Sequence, residues 1–388
     1  MDATAFFEES LRGPWGTLKP GELYWRDNYD WFLAKGYRLR PRYHPDWIAC
    51  WKTDRTLFAV YAEDSLWLKT GMELNDATRV EDGAHVVLKR VPDVILTWKT
   101  QEVAILQYFS QPELASDPRN HCVPCLEVLH PPNDNDGSVV VMPILRIFDN
   151  PEFGTKGEAI DFIRQILVGF DFLHEHRVAH RDVRPDNIMM DGSSLGYERF
   201  HFLRPDQSFD FCRDVTAKKT RTVSRPKYYI IDFGFSTQYE EKDMPPRERV
   251  RAASDQSVPE LSLNSWTRFN PFPIDVYYVG NFIRMEFIDG NPDHRSRNGR
   301  VGFEFLRPLI EDMTKNNPHD SITMSEAIQR LDEIVAKLGS QTLRAQIKMV
   351  DPGFRERFEE RMSNRVRHLL RRAKYSVLRK PSVPQGPG

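Results

Sequence analysis

The sequence predicts an α+β protein, sheet-rich in its first half and helical in its second. Three observations carry this expectation. Short β-branched runs bounded by turn residues occupy the chain up to Leu145. A long amphipathic pattern, "EAIDFIRQILVGFDFLHEH", follows them, and after one last apolar run, "KYYIIDFG", the chain reads as helix almost to its end. Strands first and helices second is the signature of segregated α and β layers.

Taken in order, residues 1–60 are rich in aromatic and basic side chains, as in "GYRLRPRYHPDW". Such interleaving can stack on nucleic acid, although packing of the rings on their own domain is the expected outcome. "AHVVLKRV" (Ala84 to Val91) follows Asp82-Gly83, a hairpin signal. Val103, Leu106 and Phe109 in "TWKTQEVAILQYF" recur at helical spacing. "SVVVMPIL" (Ser138 to Leu145) reads as a buried strand. In the amphipathic helix, Ile163, Ile166, Leu167, Phe170 and Leu173 form one apolar face. Residues 191–227 and 239–257 read as long loops, and loops of that length inside a compact domain are usually functional or mobile.

With 388 residues, 40% of them apolar and 28% charged, the composition is that of a soluble globular chain long enough for two lobes. A net charge of -2 argues against a chain that seeks nucleic acid as a whole, so any charged partner site must be local. Four cysteines are too few for a disulfide framework, and Cys122-Val-Pro-Cys125 is a lone pair expected to pack as ordinary core. No secretory leader and no membrane span is read in the pattern. An intracellular protein, cytoplasmic or nuclear, is expected.

The chemistry concentrates in "VAHRDVRPDNIMMD" (Val178 to Asp191). Asp182 could orient a hydroxyl and accept its proton. Asn187 and Asp232 offer the hard oxygen ligands that Mg²⁺ prefers. Lys89 could hold phosphate oxygens, and Glu102 could hold Lys89 in place. Alone, Lys89 is a solvated strand-end lysine and Glu102 a surface helix acid. Together these are the parts of a phosphoryl-transfer site, where positioning and charge neutralisation carry most of the catalysis.

These residues resemble the eukaryotic protein kinases. "HRDVRPDN" is similar to the family's catalytic loop, "DFG" to its metal-binding motif and "VVLK" to its strand lysine. Glu102 heads "EVAIL", like the family's third helix; "VPE" (Val258 to Glu260) stands for Ala-Pro-Glu; and "DVYYVG" (Asp275 to Gly280) resembles the helix that braces the catalytic loop. The order of the motifs is the family's, over roughly residues 70–335. The resemblance implies a bilobal fold: N-lobe 61–145 after an N-terminal extension 1–60, C-lobe 146–340 with an insert at about 191–227, and a basic helix and disordered tail over 341–388.

It further implies an ATP- and Mg²⁺-dependent enzyme acting on a protein substrate. Lys89 would contact the α/β-phosphates, Asp182 would be the catalytic base, and Asn187 and Asp232 the metal ligands. Arg184 replaces the lysine of the Ser/Thr-type loop; Met142 takes the gatekeeper place, and Pro143 to Leu145 would offer backbone groups to adenine. His180 and Phe233 resemble spine residues. The aromatic leader and the long insert look like those of expanded fungal kinase families. A small-molecule kinase of the choline type is opposed by "VPE" and "DVYYVG"; a scaffold without turnover is the second reading.

Four departures from the family pattern stand out. The three glycine positions before Lys89 fall near Trp67, Lys69 and Met72, with only Gly71 close. The stretch from Asn187 to Asp232 is long, which loop-closure entropy tolerates. Ser321 stands where an arginine would pair with Glu260. The helix bearing Glu102 begins soon after Lys89. For regulation, Arg181 beside the catalytic aspartate would await a phosphate, with Ser254 and Ser257 as candidates. The segment "GFRERFEERMSNRVRHLLRRAKYSVLRK" holds ten Lys/Arg against three Glu, with Phe354, Phe358, Met362, Val366 and Leu370 on one stripe. Such a helix docks in cis or binds an acidic partner. Nothing in the pattern assigns an oligomeric state.

Overall fold

The computed structural model describes residues 14–54, 56–68, 73–95, 98–132, 137–249, 255, 257–258, 268–290, 299–317, 320–348 and 358–385. The chain forms two compact units. One comprises Met1–Val103, Pro124–Ile144 and Tyr197–Thr216; the other comprises Ala104–Val123, Leu145–Gly196 and Ala217–Gly388.

The first unit is built on a five-stranded antiparallel sheet: β1 (Tyr37–Leu39), β2 (Leu74–Arg79), β3 (His85–Pro92), β4 (Glu127–Leu129) and β5 (Gly137–Pro143), in the order β1-β2-β3-β5-β4. The β2–β3 turn needs Gly83, whose φ of 71° is left-handed. The Asp82 carboxylate accepts the Ala84 N–H at 3.0 Å and closes that turn.

The expected boundary near residue 60 is absent. Trp25, Phe32, Tyr37, Leu39 and Tyr43 share one core with Ala77, Val86, Leu88, Val139 and Val141. The leader supplies β1 and much of the sheet's apolar cover, so it is integral to the lobe. Two of its arginines, Arg40 and Arg42, are internal too: Arg42, fully buried, donates to Glu22 through Nε at 2.9 Å and Nη2 at 3.0 Å. The basic and aromatic residues that suggested nucleic acid, Trp25, Trp51, Arg40 and Arg42 among them, are packed inside.

The insert departs from the expected loop. Phe200–His201 and Arg204–Ser208 form a hairpin within the first unit. His201 Nε2 lies 3.0 Å from Glu63 Oε1, and the Phe209 ring meets His85 edge-on at 4.8 Å. The end of the insert belongs to the second unit, where buried Arg221 donates to the Phe148 carbonyl at 2.9 Å and to the Tyr228 hydroxyl at 3.0 Å.

The second unit carries β6 (Arg146–Ile147), β7 (Val178–Ala179), β8 (Ile188–Met190), β9 (Tyr228–Ile230) and β10 (Thr237–Gln238) beside its helices. Helix α1 (Glu102–Phe109) begins in the first unit and continues into the second. Helix α2 (Lys156–Glu175) is capped by Thr155, whose side chain accepts the Glu158 N–H. All five apolar positions expected on its inner face are at most 1% exposed. Around it lie α3 (Pro271–Arg284), α4 (Arg307–Met313) and α5 (Met324–Ala336). An aromatic cluster joins α2 to α3, with Phe148 stacked on Phe162 at 4.7 Å and both near Phe282.

Helix α6 (Phe358–Val377) meets this unit at Tyr375, whose OH lies 2.9 Å from Thr220 Oγ1. Val366 and Leu370 of the expected apolar stripe are exposed, at 51% and 67%. Phe354 lies outside the described residues. The end of the chain, expected to be disordered, packs as far as Pro384, which is buried. Among the described residues no helix is long and apolar enough to cross a membrane.

Candidate active site

In the first unit, Lys89 sits on β3 opposite Val140 of β5 and Leu74 of β2. Central strand placement fixes its backbone on both sides. Its ammonium lies 2.6 Å from Glu102 Oε1, and the Glu102 side chain is 2% exposed. Thr100 Oγ1 accepts the Glu102 N–H at 3.1 Å, starting the helix with the carboxylate at its first residue. Met142 and Pro143 end β5, paired with Val87 and Val86. The chain passes to the second unit between Ile144 and Leu145.

In the second unit the catalytic-loop residues converge. Asn187 Nδ2 donates to both the Asp182 carbonyl and Asp182 Oδ2 at 2.9 Å. The Asp182 carboxylate is thereby oriented by a side chain that is itself buried. Asn187 O accepts the Ile231 N–H at 3.0 Å, and β8 pairs with β9, Ile188 opposite Ile230. This ladder holds Asn187 in register with the residue preceding Asp232. Asp232 adopts a left-handed φ of 65° and Arg181 one of 71°. Such backbone in non-glycine residues costs on the order of 1 kcal/mol or more and persists where the surroundings over-determine it.

Here the surroundings do. Asp275, fully buried on α3, accepts the backbone N–H of His180 and of Arg181, each at 2.7 Å. His180 Nε2 lies 3.1 Å from the Ile231 carbonyl, and its ring packs on fully buried Phe233 at 5.1 Å. A carboxylate accepting two main-chain donors replaces the hydration those donors lose on burial. Arg184 is half-exposed and pairs with Asp186 at 3.1 Å.

A magnesium ion's needs fit the second group. With Asn187 Nδ2 spent on Asp182, its Oδ1 is left as an acceptor, and the Asp232 carboxylate supplies the charged oxygen. Mg²⁺ is ordinarily held by one or two protein oxygens, with phosphates and water completing the shell. Among the described residues no cluster of three His, Cys, Asp or Glu side chains could form a metal cage. The four cysteines are free, and burial pushes the Cys122 thiol well above its usual range.

Sequence reasoning missed one residue. Arg181 reaches Glu248 Oε2 at 2.5 Å, the Arg249 carbonyl at 3.0 Å and Thr237 Oγ1 at 3.4 Å. The only signal was the dense charge over 239–257, which singled out no acid. Ser257, a candidate for phosphorylation, is exposed, and its hydroxyl accepts from Asn281 Nδ2 at 3.0 Å. Ser254, Glu260 and the glycine-loop positions Lys69, Gly71 and Met72 lie outside the described residues.

A paired strand lysine and helix acid, with a braced Asp–Asn loop registered against Asp-Phe-Gly, define a protein-kinase fold. Comparison with known proteins agrees. The protein kinase domain model matches residues 142–299. Over 225 residues the chain is 21% identical to R436 of Acanthamoeba polyphaga mimivirus, whose name assigns it provisionally to the serine/threonine kinases; the match covers 53% of this chain and 67% of that protein. The serine/threonine-protein kinase CAK1 of Saccharomyces cerevisiae is 32% identical over 98 residues, 25% of this chain and 19% of its own. The serine/threonine-protein kinase atg1 of Aspergillus oryzae is 23% identical over 202 residues, 46% of this chain and 21% of its own. The matched segment thus spans about a fifth of those two fungal proteins. The domain match and the kinase relatives together support placement in the eukaryotic protein kinase superfamily.

Proposed function

We propose that this chain is an active, ATP- and Mg²⁺-dependent protein kinase acting on serine and threonine hydroxyls. The observation that carries the reading is the double hydrogen bond from Asn187 to Asp182. It fixes the orientation of the Asp182 carboxylate through a buried amide, and that carboxylate accepts the proton of a substrate hydroxyl as the hydroxyl attacks. Asn187 and Asp232 would hold the metal ion, which when bound neutralises charge on the phosphates. Lys89, kept extended by Glu102, binds α/β-phosphate oxygens. Met142 lines the adenine side, and main-chain groups from Pro143 to Leu145 bind the base. Arg184 stands where Ser/Thr-specific relatives carry lysine, and its ion pair with Asp186 is weak enough to exchange for the γ-phosphate. An intracellular site of action goes with this activity.

A scaffold without turnover is the second reading. It is favoured by the link from β1 to β2, which runs over residues 40–73 in place of a short glycine-rich hairpin. Phosphate transfer from ATP to mixed peptides separates the two, comparing the wild type with Asp182→Asn. Transfer by the wild type alone, with a fall of at least about a hundredfold in the variant, supports the enzyme. Equal transfer removes Asp182 from the chemistry. No transfer by either, with Mg²⁺-ATP leaving the melting temperature unmoved, supports the scaffold.

A further inference from the structure

The second unit carries an open concavity remote in sequence from the catalytic loop. Its walls are the start of α2, the segment Thr220–Thr222 at the end of the insert, and one face of α6. Arg344, His368, Arg371, Arg372, Thr220 and Tyr375 line it. We propose that this concavity is a binding site for a phosphomonoester dianion.

The charge is one-sided. Against three guanidinium groups the lining holds a single carboxylate, Glu158, and that carboxylate is already spoken for. Its Oε2 accepts the Gly154 N–H at 2.7 Å; its Oε1 accepts the Thr222 N–H at 2.9 Å and the Thr222 hydroxyl at 2.6 Å. Among the described residues, no carboxylate lies within ion-pair distance of Arg371 or Arg372. Two guanidinium forks facing one hollow match the paired oxygens of a phosphate, which lysines would address only as point charges. The bonded hydroxyl pair Thr220–Tyr375, with one O–H spent inside the pair, adds one further donor, and the positive end of α2 adds to the same potential.

The walls are held in place without a ligand. Thr220 and Tyr375 bind each other at 2.9 Å, Arg344 donates to the Lys380 carbonyl, and the Ser382 carbonyl rests where a side chain on Gly157 would stand. A preorganised site forfeits little entropy on binding. His368 reports the field: burial, then Arg371 and Arg372, hold its imidazole below the ordinary 6.5. A dianion among those arginines reverses that influence.

The test uses the full chain and inorganic phosphate, titrated calorimetrically at constant ionic strength with chloride as the balancing anion. Saturable one-site binding is expected. An Arg371→Gln/Arg372→Gln variant should bind at least about tenfold more weakly, as loss of charge-assisted hydrogen bonds dictates, and Arg371→Lys/Arg372→Lys should recover part of it. Because the glutamine variant could release α6, the wild-type His368 resonance is followed in parallel; phosphate should raise its titration midpoint. Phosphate binding of equal strength in wild type and glutamine variant, or a His368 midpoint unmoved by phosphate, overturns the proposal. Competition by O-phosphoserine identifies a phosphorylated side chain as the source of the group, and competition by phosphoinositide vesicles alone identifies a lipid headgroup; either upholds the site.

Discussion

Arg181 Nη1 and Glu248 Oε2 stand 2.5 Å apart, and the other arm of the guanidinium donates to the Arg249 carbonyl at 3.0 Å. The arginine preceding Asp182 therefore has a built-in anion. In a segment that awaited phosphorylation this partner would be missing until the phosphate arrived. Here the backbone over Glu248–Arg249 also pairs with Arg268–Phe269, so the acid is delivered by a folded ladder.

It follows that phosphate transfer should not need prior phosphorylation. Protein treated with phosphatase is expected to keep its rate, whereas Glu248→Gln should lose about tenfold, the equivalent of one charge-assisted hydrogen bond. The reading is a peptide-phosphorylation assay on both proteins. Loss of activity on phosphatase treatment with Glu248 intact would transfer the anchoring role to a phosphorylated residue.

Arg40 yields a prediction about stability. It is 5% exposed, donates to Glu63 at 3.1 Å and lies 3.1 Å from Asp76, which in turn binds His85 at 2.8 Å. Glu63 also meets His201 of the insert hairpin. Removing the guanidinium from between buried Asp76 and partly buried Glu63 takes away the one permanent positive charge that both carboxylates face. Arg40→Ala should cost about 3–5 kcal/mol, measured as the shift of the urea midpoint at constant slope. A loss below about 1 kcal/mol would show that His85 and His201 already carry the compensating charge.

The catalytic motifs were legible because their chemistry demands particular residue types at short spacing: Asp182 and Asn187 are five apart and one loop holds both. The inner face of α2 was legible because five apolar positions repeat with the helical period. The packing of the leader's rings on their own domain was legible, but the share of residues 14–60 in the sheet was not, because a strand as short as Tyr37–Leu39 shows no alternation over so few residues, and because burial of Arg42 depends on Glu22, a partner twenty residues away that no local pattern indicates. The insert hairpin was hidden for a related reason. "HFLRPDQSFD" mixes polar and apolar residues, and its place is fixed by Glu63 and His85, both distant in sequence. Glu248 was one acid among many until the fold brought it to Arg181.

Gly280 tests the bracing helix α3. A Cβ built there would meet Met313 Cβ at 2.8 Å and Thr314 Cγ2 at 2.9 Å, at the α3–α4 contact. Alanine ordinarily favours a helix over glycine by about 1 kcal/mol. Overpacking against a main-chain-anchored neighbour costs about 1–3 kcal/mol and wins. Gly280→Ala should therefore lower stability, and because α3 carries Asp275 it should also lower phosphate transfer. A variant more stable than wild type in urea would show that α4 can yield by the few tenths of an ångström required.

His121 sets an acid limit on the second unit. Its Nδ1 lies 2.7 Å from the Tyr228 carbonyl and donates to it, and Gly169 on α2 leaves no room for a side chain against it. Burial, against the pull of that carbonyl, pushes its titration down from 6.5 to about 4. The unfolded chain then binds the extra proton first, so this residue's contribution is complete above pH 6.5 and drains away as pH falls through 4. The amount is on the order of 3 kcal/mol. Asp161 acts in the opposite sense: burial outweighs its 2.8 Å pair with Arg225 and pushes it up to about 6, so acidification relieves it. The two effects offset each other in the wild type, and only a difference isolates His121. In His121→Asn, whose amide can still donate to Tyr228, stability should rise relative to wild type as pH is lowered from 7 to 4.5. Urea unfolding of both proteins at five pH values across that range measures the gap; a gap that stays constant would mean that the imidazole titrates alike in the folded and unfolded chain.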